Sequence, residues 1–184
     1  MTLRSDVAEL LAGAGILDVD VDDAVADEHV RSSAYQRVVE VAASLRSRGG
    51  DRALVATLLR DPHEMGSKAA VVALLDRIAM KVTGPAEFRR WSAGLLPEID
   101  RLTTEGHREF IHRRIGDWLF YLSVTGGHVP TSAELAEVTS WMQRLLAVES
   151  VSPAVLALFT ESGSSKKIRN IAKDRAGNRK LTTN

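Results

Sequence analysis

The sequence predicts an all-α fold of about eight to ten helices. Three observations carry this. Apolar residues recur at helical spacing along most of the chain, as in Leu54, Val55, Leu58 and Leu59, or Phe110, Ile111, Ile115, Trp118, Leu119 and Leu122. Helix stops and starts punctuate it at Gly49-Gly50, Asp61-Pro62, Gly84-Pro85, Gly126-Gly127 and Ser152-Pro153. Strand-like alternation occurs at Val19 and Val21 between acids, and no other stretch offers it a partner.

In chain order, residues 3–14 form a short helix with Leu3, Val7, Leu10 and Leu11 inward, ended by Gly13 and Gly15. A loop leads into a short acidic helix near Asp22 to Glu28. Val30 to Arg48 is helical, with Tyr35, Val38, Val39, Ala42 and Leu45 inward and Arg46 and Arg48 at its negative end. Asp51 to Val82 reads as two helices joined by a tight turn. Asp51 is placed to cap the first, and Asp61-Pro62 stops it because Pro lacks a donor and pushes its predecessor out of the α region. The second starts near Glu64 to Ser67 and carries a wide apolar set: Val71, Val72, Leu74, Leu75, Ile78, Ala79 and Val82.

Pro85 opens the next helix, where its missing donor costs nothing. Phe88, Trp91, Leu95, Leu96, Ile99 and Leu102 point inward, and Pro97 kinks or splits the helix. Glu105 to Val124 follows, then a loop over residues 125–130. Thr131 or Ser132 caps a helix with Leu135, Val138, Trp141, Met142, Leu145 and Leu146 inward. Ser152-Pro153 starts a short helix ended by Gly163, and Ser164 or Ser165 caps a last basic helix with Ile168, Ile171 and Ala172 on its apolar stripe. One helical-repeat domain over residues 1–176 and a flexible polar tail over 177–184 are expected.

The hairpin at residues 51–82 resembles a HEAT repeat: a helix, a turn carrying Asp61-Pro62, a basic residue (Lys68) one turn into the next helix, then Ala-rich apolar sequence. The likeness covers about one repeat, with weaker versions elsewhere. Second helices begin near Ser32, Ser67, Glu105 and Ser165, and the first gaps of about 35–40 residues suit that period. The resemblance implies a short right-handed stack of antiparallel helical hairpins of the HEAT or armadillo kind. In that reading residues 51–82 are a central packing unit, with the second helix too apolar to offer a binding face.

The chain has 184 residues, is 45% hydrophobic and 26% charged, and contains no cysteine, so disulfides and thiol chemistry are excluded. The first residues carry acids and no sustained apolar run, unlike a signal peptide, and no run approaches the length of a membrane span; a cytoplasmic protein is expected. Net charge is zero but uneven. Asp18, Asp20, Asp22, Asp23, Asp27 and Glu28 stand together without a base, whereas residues 164–184 hold seven bases against Asp174. These are solvated faces, packing ends, or surfaces for a partner or a second copy of the chain.

Catalytic and metal motifs break down on inspection. Asp18-x-Asp20-x-Asp22 opens like a calcium loop, but its sixth position is Asp23 and its twelfth His29. Asp22, Asp23 and Asp27 have the spacing of a metal-diphosphate motif without the required second acidic motif. His63-Glu64 begins like HExxH and fails at Ser67; His107 and His112 are five apart, off the i,i+4 pair a helix uses for metal. Ser164-x-x-Lys167 lacks its companion motifs. No catalytic residue, metal or cofactor is assigned.

The basic residues are the better lead. Arg89, Arg90, Arg108, His112, Arg113 and Arg114 cluster mid-chain, and Lys166, Lys167, Arg169 and Lys173 lie on the last helix. On stacked repeats they line one concave face able to neutralise phosphates in a salt-sensitive way; alternatively Glu87, Glu98, Glu105 and Glu109 partner the arginines on a solvated face. HEAT-like DNA glycosylases use such a face with an Asp beside a Trp. None of Trp91, Trp118 and Trp141 has an Asp one turn on, so that activity is not carried over, and the three indoles are expected in the core. The first reading is a non-enzymatic helical scaffold binding a protein partner or itself. The alternative is a nucleic-acid-binding module using the basic face and last helix. An enzyme with a site assembled from scattered residues is a third reading.

Overall fold

The computed structural model describes residues 2–181, which hold twelve helices and no strand. Contacts gather into two units, Met1–Ile115 and Gly116–Asn184.

In the first unit α1 (Leu3–Gly13), α2 (Val21–Ala26) and α3 (Glu28–Ser44) each begin at a polar cap: Thr2 accepts from Ser5 N, Asp20 from Asp22 N and Asp23 N, and Asp27 from His29 N and Val30 N. Beyond α1 the chain reverses at Gly15, whose φ of 66° suits a residue without a Cβ, and Ile16 N reaches back to Leu11 O. Then come α4 (Asp51–Leu58), α5 (Glu64–Ala79), α6 (Pro85–Ala93), α7 (Leu96–Ile99) and α8 (Glu105–Thr125), of which residues up to Ile115 belong to this unit. The main packing pair is α3 on α5. Tyr35, Val39, Val55, Leu58, Leu74, Leu75, Phe88, Ile99 and Ile111 form the core, each large apolar side chain contributing about 2 kcal/mol on burial.

Several expectations need correction here. Asp51 is the first residue of α4 and makes no capping bond; its Oδ2 accepts from Trp91 Nε1 at 2.9 Å and lies 3.3 Å from Arg48 Nη1. A partner forty residues away outcompetes the local amides. Leu45, expected inward, is exposed, because α3 ends at Ser44 and the chain leaves the helical path there. Phe110 is 45% exposed. Arg31, not singled out in the sequence, is buried.

The second unit holds the rest of α8 with α9 (Ser132–Ala136), α10 (Ser140–Glu149), α11 (Pro153–Ser162) and α12 (Lys166–Leu181). The single helix expected after Thr131 is two. Thr131 and Glu134 form a capping box on α9. Thr139 caps α10, accepting from Met142 N and donating to Asp117 Oδ2. The buried Gln143 fills the break: its Nε2 donates to Leu135 O and Val138 O, and its Oε1 accepts from Ser164 N. With the Pro97 split of α6 from α7, this raises the helix count to twelve, above the expected eight to ten. Helix α11 packs on α12 around Leu156, Phe159, Ile168 and Ala172. Trp118 is buried, whereas Trp141, expected inward, is 44% exposed and meets Trp118 edge-on at 5.8 Å. Helix α12 continues to Leu181, into the stretch expected to be a tail; residues 182–184 lie outside the described residues.

Candidate functional site

Two grooves of the first unit and the surface of α12 carry charged side chains that could meet a ligand; a further groove of about 420 Å³ between α1, the end of α3 and α4 is lined mainly by apolar and small residues. The first groove, about 430 Å³, lies between the start of α3, the α4–α5 turn, the start of α5 and Phe110 of α8. Its floor is polar and closed. Arg31 Nε donates to Asp61 Oδ2 at 2.7 Å, Tyr35 Oη donates to the same oxygen at 2.8 Å, and Asp61 Oδ1 accepts from His63 N at 2.8 Å. Arg31 Nη1 also donates to Ala24 O at 2.8 Å. Burial and the neighbouring Asp61 charge push the Tyr35 hydroxyl far above its usual range, so it stays a donor. The trio is internally satisfied and serves the packing of α3 against the turn.

The mouth of this groove is different. Met65 is 63% exposed and Phe110 45%. Lys68 Nζ stands 5.1 Å from the Phe110 ring centre and 3.3 Å from Met65 Sδ, and Arg114 approaches the same ring at 5.9 Å. His63 Nδ1 faces Glu28 Oε2 at 3.1 Å on the opposite wall. The first turns of α5 leave Met65 and Lys68 exposed or half-exposed, whereas the wide apolar set is buried further along, at Val71, Leu74 and Leu75.

The second groove, about 510 Å³, lies at the ends of α3 and α5 and along α6. Arg46, Arg48, Lys81 and Arg90 line it with Glu87 and Trp91. Arg46 and Arg48 stood out in the sequence only as bases at the negative end of their helix, and Lys81 not at all; the three meet because the ends of α3 and α5 do.

The ten sequence candidates fall into two classes. Four are engaged. Arg108 Nη1 donates to the carbonyls of Leu102 and Thr103, His112 Nε2 faces Asp100 Oδ1 at 2.7 Å, Arg114 Nε lies 3.4 Å from Asp76 Oδ1, and Arg169 Nη1 donates to Gly163 O at 2.7 Å. The other six, Arg89, Arg90, Arg113, Lys166, Lys167 and Lys173, are exposed. Arg89, Arg90 and Arg113 belong to the first unit, and the lysines to the second.

The acidic stretch is also largely spoken for. Asp20 and Asp27 are caps, Asp22 pairs with Arg4 at 2.7 Å, and Asp18 pairs with Arg37 at 2.7 Å. These arginines hold the Asp18 and Asp22 carboxyls below their ordinary range through hydrogen bonds. Among the described residues no cluster of His, Asp or Glu is arranged to hold a metal ion, and no helix is long and apolar enough to cross a membrane.

No family model matches the chain, and neither a curated protein nor a solved structure does.

Proposed function

We propose that the protein is a non-enzymatic helical scaffold, built from HEAT-like hairpins within its units, that binds a protein partner through the first groove. The observation that carries this is the mouth of that groove, where Met65 and Phe110 are exposed side by side with Lys68 between them. Aromatic and Met side chains are enriched in interface cores, and the Lys68 ammonium at their edge offers a partner for a carboxylate. The occupant that suits this chemistry is a peptide segment that lays apolar side chains on Met65 and Phe110 and brings a carboxylate to Lys68. The hairpin reading is supported by the packing of the consecutive helices α11 and α12 on each other and by the Asp61-Pro62 turn that joins α4 to α5, although α5 packs mainly on α3 rather than on α4.

A random-peptide display library panned on the full chain tests this. Enrichment of sequences combining apolar and acidic residues is expected, with binding lost in M65E/F110E and kept in R89E/R113E. No enrichment above background, or enriched peptides indifferent to M65E/F110E, refutes it.

A second reading has one observation of its own. Lys166, Lys167 and Lys173 are exposed along α12 while Ile168 and Ala172 hold its other face in the core. This arrangement suits sequence-independent contact with phosphates. Binding to random duplex DNA with an affinity that falls steeply with salt, and that disappears in K166E/K167E/K173E without loss of melting temperature, is expected under it. Absence of binding at low salt excludes it.

A further inference from the structure

We infer that the second groove is a binding site for a nucleotide-type ligand, a phosphate ester carrying a planar ring, held by Arg46, Lys81 and Arg90 with the ring against Trp91. The inference is independent of the peptide groove.

Charge comes first. Four cations and one carboxylate line the groove. Two of the cations are positioned by the end of α3: Lys81 Nζ donates to Ala43 O at 2.7 Å and Arg48 Nη2 to Ala42 O at 2.8 Å. One such bond leaves an ammonium two further donors. Arg48 Nη1 is buried with no hydrogen-bond partner, its nearest counter-charge being Asp51 at 3.3 Å. Arg46 and Arg90 are exposed, and Arg90 is near enough to Glu87 for its charge to act on that carboxylate. Against these stand Glu87, whose Oε2 accepts from Thr83 N and Thr83 Oγ1 and whose carboxyl these donors hold below its ordinary range, and Asp51 behind Arg48. The balance remains positive, and guanidinium forks suit phosphate oxygens.

The ring platform is the second observation. Trp91 is half-buried on the groove wall. Its Nε1 is anchored to Asp51 Oδ2 at 2.9 Å, and the wholly buried Phe88 backs it at 5.6 Å between ring centres. An indole fixed at its edge and supported from behind presents a ready stacking surface at little ordering cost.

Titration of the full chain with four probes (adenosine, inorganic phosphate, AMP and a ten-nucleotide oligothymidine) tests this at low and moderate salt. AMP is expected to bind more tightly than either adenosine or inorganic phosphate, because it engages both parts. R46E/R90E should weaken AMP at least about tenfold, with R46Q/R90Q as the milder control and circular dichroism confirming the fold of both. W91L should weaken AMP about fivefold or more and leave inorganic phosphate unchanged. An oligonucleotide bound far more tightly than AMP identifies a strand as the source of the nucleotide; equal or weaker binding identifies a free nucleotide. No AMP or oligonucleotide binding at low salt, or binding unmoved by R46E/R90E, overturns the inference.

Discussion

The Glu64 carboxylate gives the sharpest quantitative expectation. It reaches from the first turn of α5 to the start of α8. Its Oε1 accepts from Thr103 N at 2.7 Å and Thr103 Oγ1 at 2.6 Å, and its Oε2 accepts from Thr104 N at 3.1 Å and faces His107 Nδ1 at 3.2 Å. Donation from Thr103 first, and from Thr104, pulls its pKa from 4.5 to about 2. A depressed carboxyl pKa means that its contribution is complete above 4.5 and disappears as pH falls from there through about 2. At 1.36 kcal/mol per pH unit the full displacement corresponds to about 3 kcal/mol; screening near the surface brings the expectation to about 2 kcal/mol. Glu64→Gln keeps the size but turns one acceptor into a donor facing other donors, and it cannot titrate. Urea unfolding of both proteins at pH 7 and pH 2.5 is the assay. The variant should be about 2 kcal/mol less stable at pH 7, and the difference should shrink to about a quarter of that at pH 2.5. An equal difference at both values, or none at pH 7, refutes the reasoning.

Other expectations follow from the same kind of geometry. Asp61→Ala strands the buried Arg31 charge and removes the acceptor of Tyr35 and His63, and should cost about 3–5 kcal/mol in urea unfolding; a cost under about 1 kcal/mol contradicts the buried trio. A Cβ at Gly163 would lie 2.6 Å from Phe159 O and 2.9 Å from Ile168 Cγ2, so Gly163→Ala should lower the melting temperature by an amount reflecting about 2 kcal/mol or more. Gly116→Ala, on α8 with open space around its Cβ, should instead stabilise by about 0.5–1 kcal/mol; the opposite ranking in a thermal melt rejects both. Thr139→Val removes the cap of α10 and the donor to Asp117, and should cost about 1–2 kcal/mol, read as loss of helical signal at lower denaturant.

The helices were readable wherever periodicity and punctuation are local. Val71 to Ala79 and the stops at Asp61-Pro62 and Gly84-Pro85 needed nothing beyond their own neighbourhood. The misses share a cause. Asp51, Arg31 and Gln143 take partners 40, 30 and 21 residues away, at Trp91, Asp61 and Ser164, and a local reading assigns a charged or amide residue to a cap or to solvent. Phe110 and Trp141 sit at the edge of apolar stripes wider than the surface available to bury them. The candidate sites were the least legible part. Runs such as Arg113-Arg114 or Arg108 look like a basic face in sequence, yet Arg108 is drawn into bonding with the carbonyls just before α8 and Arg114 towards Asp76 on α5. Arg46, read in sequence only as a base at a helix end, and Lys81 converge without any sequence signal that joins them.

The Arg31, Asp61 and Tyr35 trio also bears on which alternative packings the chain can adopt. An apolar helix face tolerates a small rotation or a slide by one turn, since one Leu or Val substitutes for another at modest loss. Here α3 carries two polar groups whose single shared acceptor sits on the turn before α5. Rotating α3 by one residue would leave a guanidinium in the interior without a counter-ion, at several kcal/mol. The arrangement therefore adds little to the depth of the native minimum and much to its separation from near-native competitors. A chain in which this trio is replaced by well-fitting apolar residues could keep its helices and its stability while losing the sharp, single packing of α3, a loss visible as broadened or doubled amide resonances along residues 28–44.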